Sequence, residues 1–130
     1  GVIREVAWEG DVLHLKVTPT YSGCPATAVI NFEIEKHLRA KGVKPRIERQ
    51  LSPAWTTDWL SAEGREKLRA YGIAPPVEGG GYGSLHGRVV ACPRCGSRAT
   101  ERISEFGSTP CKASYRCTDC LEPFDYFKCI

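Results

Sequence analysis

Four cysteines near the end of the chain form two short motifs of the kind that binds a metal ion. The motifs are Cys92-Pro-Arg-Cys95 and Cys117-Thr-Asp-Cys120, with 21 residues between Cys95 and Cys117. Two such hooks can surround one cation with four thiolates, the ligand set that zinc takes in structural sites. Because every ligand is sulfur and none is left for water or substrate, we expect a structural zinc and no catalytic metal.

Iron is the alternative occupant, because four cysteines also hold iron–sulfur clusters. Cys111 and Cys129 lie near the hooks in the sequence and are candidate extra or replacement ligands. The sequence leaves open whether these two bind metal, pair with each other or pack as small apolar side chains. The tail after residue 88 has few large apolar side chains, so we expect metal binding to supply much of its folding energy.

The seventh cysteine, Cys24, stands where a helix is predicted to begin. It follows the loop Thr20-Tyr-Ser22-Gly and precedes Pro25, which suits the first turn of a helix. The dipole and free backbone N–H groups at a helix N-terminus favour a thiolate, so Cys24 is a candidate nucleophile or metal ligand. No His or acid is placed locally as its base, so the pattern indicates no catalytic residue. The alternatives are a small capping side chain, or a loop whose hydroxyl and backbone donors receive an anion.

Composition narrows the class of protein. The chain has 130 residues, 42% hydrophobic and 25% charged, which fits one globular domain with a small appendage. No signal peptide or membrane-spanning segment is evident, and clustered cysteines in an odd number favour metal binding in a reducing compartment, so we expect a cytoplasmic protein without membrane contact. A net charge of +3 with interleaved glutamates makes nucleic acid an unlikely partner.

The hydropathy pattern predicts an α/β fold with a small mixed sheet and two helices. A hairpin is expected from strands Ile3 to Trp8 and Val12 to Val17, then a helix to about Lys41 and a third strand around Arg46 to Glu48. Ser61 is the expected N-cap of a second helix that runs through Tyr71. Residues expected to face inward are Ala26, Val29, Ile30, Ile34 and Leu38 in the first helix, Leu60, Leu68 and Tyr71 in the second, and the pair Trp55 and Trp59. His37 lies on the same stripe of the first helix and is expected to be packed or partly exposed.

Proline and glycine between residues 75 and 88 predict a linker. We therefore expect an α/β domain over residues 1–74 and a four-cysteine, zinc-ribbon-like domain over residues 89–130. Short ribbon strands at residues 88–91 and at Tyr115-Arg116 are expected to lead into the two hooks. Because Gly1 is not an initiating methionine, we expect the first domain to be incomplete at its N-terminus.

Two resemblances are carried by longer motifs. The segment Thr18-Pro-Thr-Tyr-Ser-Gly-Cys-Pro-Ala-Thr27, placed before an amphipathic helix, resembles a loop of the small iron–sulfur assembly domain found in SufT and in the eukaryotic cytosolic iron–sulfur targeting complex. The whole chain resembles the family of D subunits encoded with the phenylacetyl-CoA epoxidase of bacterial phenylacetate catabolism. Besides the Cys24 loop and the first hook, the motifs are Trp55-Thr-Thr-Asp-Trp59, Gly72-Ile-Ala-Pro-Pro76, Phe106-Gly-Ser-Thr-Pro-Cys111 and Cys120-Leu-Glu-Pro-Phe-Asp-Tyr-Phe-Lys-Cys-Ile130.

These resemblances imply an accessory factor that assists iron–sulfur cluster assembly in the epoxidase reductase subunit and performs no ring chemistry itself. They imply that Cys24 is the functional thiol, with Thr20 and Ser22 as its loop neighbours. The implied partners are the reductase, other epoxidase subunits and the general iron–sulfur assembly machinery. Whether the chain also forms a homodimer is left open. They also imply a helix and an acidic Asp-Pro segment that family members carry ahead of the position of Gly1.

Two other roles stay open at this point. The chain is alternatively a structural subunit of the epoxidase complex, or a zinc-ribbon module that binds nucleic acid. A direct oxidase is not expected, because the sequence has no Glu-x-x-His di-iron motif and no flavin or nicotinamide fingerprint.

Overall fold

The computed structural model describes residues 1–77 and 89–129, which fall into two compact units, Gly1–Trp55 and Thr56–Ile130. The first unit contains strands β1 (Ile3–Glu9) and β2 (Val12–Val17), helix α1 (Ala26–Ala40) and strand β3 (Lys44–Arg49). The second contains a 3-10 turn (Thr57–Trp59), helix α2 (Ala62–Ala70) and strands β4 (Ile73–Ala74), β5 (Thr100–Ser104), β6 (Lys112–Cys117) and β7 (Pro123–Phe127). The predicted fold class, a mixed sheet with two helices followed by a ribbon-like sheet, is confirmed.

The first unit is a three-stranded mixed sheet in the order β1-β2-β3. β1 and β2 form the predicted antiparallel hairpin, which Gly10 closes with a φ of 62°. The chain then crosses over through α1, so β3 runs parallel to β2 with Val17 opposite Arg49. The carboxyl ends of β2 and β3 therefore lie side by side.

Alternation along β2 separates an apolar face of this sheet from a polar one. Leu13, Leu15 and Val17 are buried on one face. On the other face His14 lies 3.2 Å from the Glu9 carboxylate and Lys16 lies 2.8 Å from the Glu5 carboxylate. The buried face of β2 is the centre of the first unit.

Helix α1 ends where the sequence predicts, with Gly42 at a φ of 75°. Its start differs from expectation, because Pro25 is the N-cap and no side chain makes a capping hydrogen bond there. The apolar stripe is also narrower than expected, since the helix makes only partial contact with the sheet. Ile30, Ile34 and Leu38 are half-buried, whereas Ala26, Val29 and His37 are exposed.

Helix α2 begins as predicted at Ser61, whose Oγ accepts a hydrogen bond from the Gly64 N–H at 3.1 Å. Leu60 and Leu68 are half-buried, but the prediction that Tyr71 faces inward is wrong. Tyr71 is 84% exposed, because it is the C-cap of α2 and lies beyond the last turn that packs. Of the tryptophan pair, Trp55 is buried and Trp59 is half-buried.

The second unit is built on a four-stranded sheet in the order β4-β7-β6-β5. Tyr115 stacks on Phe124 at a centroid distance of 5.9 Å and meets the Tyr126 ring edge-on at 5.6 Å. The expected strand around Tyr115 and Arg116 is confirmed as part of β6, whereas residues 89–91 precede the first hook without forming a strand. The buried core comprises Ala74, Val90, Cys92, Ala113, Tyr115, Cys117, Phe124 and Tyr126.

The two compact units divide the chain at a different place from the predicted linker. β4 pairs in parallel with β7, and the Val77 N–H approaches the Tyr126 hydroxyl at 3.5 Å, so the segment from α2 to Val77 groups with the ribbon sheet. The predicted linker, residues 75–88, falls mostly on residues 78–88, which lie outside the described residues, and the domain bounds 1–74 and 89–130 stay a prediction. Neither helix of the described ranges is long and apolar enough to cross a membrane.

Candidate metal centre and thiol loop

The structure brings the four predicted hook cysteines together. The Sγ atoms of Cys92, Cys95, Cys117 and Cys120 all lie within 4.8 Å of one another. Cys92 Sγ is 3.8 Å from Cys120 Sγ, and Cys95 Sγ is 3.6 Å from Cys117 Sγ. These separations exclude disulfides, in which the sulfur atoms are about 2 Å apart. They match the edge of a tetrahedron with zinc–sulfur bonds of about 2.3 Å, which is about 3.8 Å.

The two hooks share one backbone design. In the first, the Cys92 N–H donates to the Ser97 carbonyl at 2.8 Å; in the second, the Cys117 N–H donates to the Glu122 carbonyl at 2.9 Å. Each turn needs a left-handed residue four positions after its first cysteine. Gly96 supplies it with a φ of 76°, and Leu121 adopts the same region with a φ of 65°. The hooks are thus two copies of one turn, which aim their thiols at a common point.

Contacts between the hooks hold the two turns in register. The Thr118 N–H and hydroxyl both donate to the Ala99 carbonyl, at 2.8 and 2.9 Å. The Ser97 hydroxyl donates to the Asp119 carboxylate. These supporting residues were not predicted from the sequence. Their signal was weak, since it consisted only of short polar side chains inside or next to each hook.

The pKa values of Cys117, Cys95 and Cys120 are shifted in different directions. The Cys120 backbone N–H, 3.5 Å from the Cys117 sulfur, is the main cause that lowers the pKa of Cys117 to about 7. The Ser97 backbone N–H acts to lower the pKa of Cys95, but the Cys120 thiol, burial and the other two thiols outweigh it and raise that pKa to about 12. The Glu122 backbone N–H and the Cys95 thiol act to lower the pKa of Cys120, but burial and the thiols of Cys117 and Cys92 outweigh them and raise it. A cation would remove this mutual repulsion between thiolates.

Cys111 and Cys129 lie outside the cluster of four that the described residues form. Cys111 Sγ lies 3.0 Å from the Thr109 hydroxyl. Cys129 is buried, with its Sγ 3.4 Å from the Tyr126 hydroxyl and 3.6 Å from the Val77 carbonyl. Both are free thiols, so they are not paired with each other.

The predicted thiol loop belongs to the first unit. It leaves the carboxyl end of β2 and leads into α1, and it places Cys24 and Thr20 half-buried and Ser22 exposed. The loop closes on itself through the Cys24 N–H, which donates to the Tyr21 carbonyl at 3.2 Å. Thr18, at the base of the loop, is buried, and its Oγ1 has no hydrogen-bond partner among residues 1–77 and 89–129. The thiol is therefore held at the carboxyl edge of the sheet, the usual position of ligand sites in open α/β folds.

Comparison with known proteins bears on both units. Residues 1–46 match the family described as iron-sulfur cluster assembly protein, and residues 81–128 match the family described as PaaD zinc beta ribbon domain. A curated protein of Escherichia coli (strain K12), the D subunit of the "Putative 1,2-phenylacetyl-CoA epoxidase", is 51% identical over 134 residues, covering all of this chain and 79% of that protein. The chain belongs to the PaaD family. Both sequence-based resemblances are thereby confirmed, and in this PaaD family member the four-cysteine cluster lies within the zinc-ribbon match. No solved structure matches the chain.

Proposed function

We propose that this protein is an accessory factor of the phenylacetyl-CoA epoxidase system in aerobic phenylacetate degradation, where it assists iron–sulfur cluster assembly in the reductase component. The supporting observation is similarity over the whole chain to an epoxidase D subunit, together with an iron–sulfur assembly match over residues 1–46 that includes Cys24. The protein would support the epoxidase without carrying out the ring oxidation.

The chemistry of the thiol loop fits a role in handing over iron or a cluster. Cys24 is the single cysteine of the first unit, whereas iron–sulfur clusters take four cysteine ligands. Cys24 would therefore bind its cargo only together with ligands from the reductase, from the assembly machinery or from a second copy of this chain. A cargo held by shared ligands can leave when the partner supplies the rest of the set. Thr20 and Ser22 flank the thiol on the same loop and would contact the cargo or the partner.

The four-cysteine cluster would hold one structural zinc ion. The sulfur separations of 3.6 and 3.8 Å fit four ligands on one small ion. A cluster would place several iron and sulfide atoms between the same ligands and would need the thiolates to lie further apart. Zinc at this site would supply folding energy to a ribbon whose apolar core is small, and it would keep no open position for water.

The decisive experiment is coexpression with the epoxidase subunits, followed by iron and acid-labile sulfide analysis of the purified reductase. Cys24→Ser is expected to lower cluster occupancy while leaving the circular dichroism spectrum of this protein unchanged. Cys111→Ser, a half-buried free thiol outside both sites, is the matched control and is expected to leave occupancy unchanged. Full occupancy with Cys24→Ser would refute the assembly role.

Metal analysis tests the zinc site separately. The purified protein is expected to contain one zinc per chain and to show no visible absorption, whereas iron with visible bands would overturn the assignment. Cys92→Ser is expected to lose the metal and to raise amide hydrogen exchange in β5 to β7, with the first unit unaffected. Retained metal in that variant would contradict the ligand set.

A structural subunit of the epoxidase complex is the second candidate, and the name of the E. coli relative favours it. This role predicts a fixed stoichiometry in the purified complex and no dependence on Cys24. Analytical ultracentrifugation of the complex with wild-type protein and with Cys24→Ser separates the two roles.

A further inference from the structure

The loop that carries Cys24 is bounded by two adjacent strand ends. Because β2 and β3 are parallel and in register, with Val17 opposite Arg49, the residues that follow both strands emerge at one edge of the sheet. The Gln50 N–H donates to the Val17 carbonyl at 2.9 Å and fixes the end of β3 against the start of the loop. Arg49 is thus brought to the thiol loop by the sheet register, although 24 residues lie between it and Cys24 in the sequence.

Arg49 makes a direct contact with the loop. One guanidinium nitrogen, Nη2, donates to the carbonyl oxygen of Ser22 at 3.2 Å. The same turn is closed by a hydrogen bond within it, from the Cys24 N–H to the Tyr21 carbonyl. The Arg49 side chain adds a second hydrogen bond to this turn, from the neighbouring strand. At the base of the loop, the buried Thr18 hydroxyl has no hydrogen-bond partner among the described residues, and a buried polar group without a partner costs stability.

In the part of the chain that the structure describes, no acidic side chain forms an ion pair with Arg49. The first turn of α1, directly after the loop, contains no acidic residue either. The guanidinium therefore keeps its donors available to the loop carbonyl.

We propose that Arg49 is a positioning residue for the thiol loop, holding the Tyr21–Cys24 turn so that the Cys24 thiol is presented at the carboxyl edge of the sheet. The functional meaning of this role rests on the proposed function of Cys24. Arg49 acts through the Ser22 carbonyl and does not itself need to touch the cargo.

The test compares Arg49→Gln, Arg49→Lys and the matched control Arg46→Gln in the whole chain of residues 1–130. Arg46 lies on the same strand three residues earlier, opposite His14, so its side chain points to the other face of the sheet. Amide hydrogen exchange of residues 21–24 and the rate at which iodoacetamide alkylates Cys24, followed by peptide mass spectrometry, both report on the loop. Neither readout depends on the epoxidase.

Arg49→Gln is expected to speed exchange at residues 21–24 about fivefold, the effect of losing one hydrogen bond, and to change the alkylation rate of Cys24. Exchange in β2 and β3 is expected to stay unchanged. Arg49→Lys keeps a charged donor and is expected to restore part of the protection, and Arg46→Gln is expected to leave the loop as in the wild type. Unchanged exchange at residues 21–24 with Arg49→Gln would overturn the proposal, as would an equal effect of Arg46→Gln.

Cluster occupancy of the coexpressed reductase separates this inference from the proposed function. If Arg49→Gln loosens the loop and lowers occupancy, both are supported. If Arg49→Gln loosens the loop while Cys24→Ser leaves cluster occupancy full, the assembly role is refuted and the positioning role of Arg49 is supported. If Cys24→Ser lowers occupancy and Arg49→Gln changes neither exchange nor occupancy, the positioning role is refuted and the assembly role stands.

Discussion

The two metal hooks offer a paired test, because they use the same left-handed position with different residues. Gly96 occupies it in the first hook with a φ of 76°, and Leu121 occupies it in the second with a φ of 65°. Glycine reaches this region without steric cost, whereas a residue with a Cβ loses about 1–2 kcal/mol there. We therefore expect Gly96→Ala to weaken zinc binding and Leu121→Gly to strengthen it.

The magnitude follows from the surroundings of each residue. A Cβ at Gly96 would meet no atom within 4 Å, so the cost of Gly96→Ala is conformational and not steric. Leu121 is 69% exposed, so its removal loses little packing. The greater freedom of glycine in the unfolded chain offsets part of each effect, leaving a net change of about 1 kcal/mol in opposite directions. Because metal binding and folding of the hooks are coupled, this corresponds to about a fivefold change in apparent zinc affinity.

Competition with a chromophoric zinc chelator at fixed pH measures both variants. Gly10→Ala is the control, because Gly10 also has a positive φ and open surroundings but lies in the hairpin of the first unit. It is expected to lower the stability of that unit and to leave zinc affinity unchanged. Changes in zinc affinity of the same sign for Gly96→Ala and Leu121→Gly would refute the reasoning that the two hooks share one strained position.

Three further predictions concern charge, capping and pH. Asp125→Asn is expected to destabilise the second unit by about 1–2 kcal/mol in urea denaturation, because the ion pair of Asp125 with Lys112 (3.0 Å) is mostly buried, with side chains only 18% and 23% exposed. Glu101→Gln is the control, because it breaks an exposed ion pair with Arg116 and is expected to cost less than about 0.5 kcal/mol. Ser61→Ala is expected to cost about 1 kcal/mol, because the Gly64 N–H loses its acceptor, and Ser61→Asp should restore the cap; equal stability of all three proteins would contradict this. Zinc binds thiolates and displaces their protons, so the zinc affinity is expected to fall as the pH falls. The slope of the logarithm of zinc affinity against pH should steepen by about one proton below pH 7, where Cys117 is also protonated before zinc binds. Calorimetry in buffers of different ionisation enthalpy checks the slope, and a slope that is constant between pH 6 and 8 would disagree.

Several elements could be predicted from the sequence because their signals are local. The hairpin, the stop of α1 at Gly42 and the Ser61 cap each depend on residues a few positions apart. The two hooks were predictable for a similar reason, since four thiols at this spacing have one common chemical use. The position of Cys24 between β2 and α1 was also predictable, because the strand periodicity ends before that loop and the helix periodicity begins after it.

Other features were decided only by tertiary structure. The sequence could not show that β4 joins the ribbon sheet beside β7, because two residues are too few for a strand pattern and their partners lie about 50 positions later. The exposure of Tyr71 depends on where α2 stops packing, which periodicity does not report.

The metal site and the thiol loop show most clearly what the sequence determined and what the tertiary structure decided. Residue types and spacing determined which sulfur atoms could meet, because thiolates at this spacing suit one cation. Parallel pairing of β2 with β3 decided that Arg49 contacts the turn that presents Cys24, since sheet register joins residues far apart in the chain and leaves no local trace of that contact.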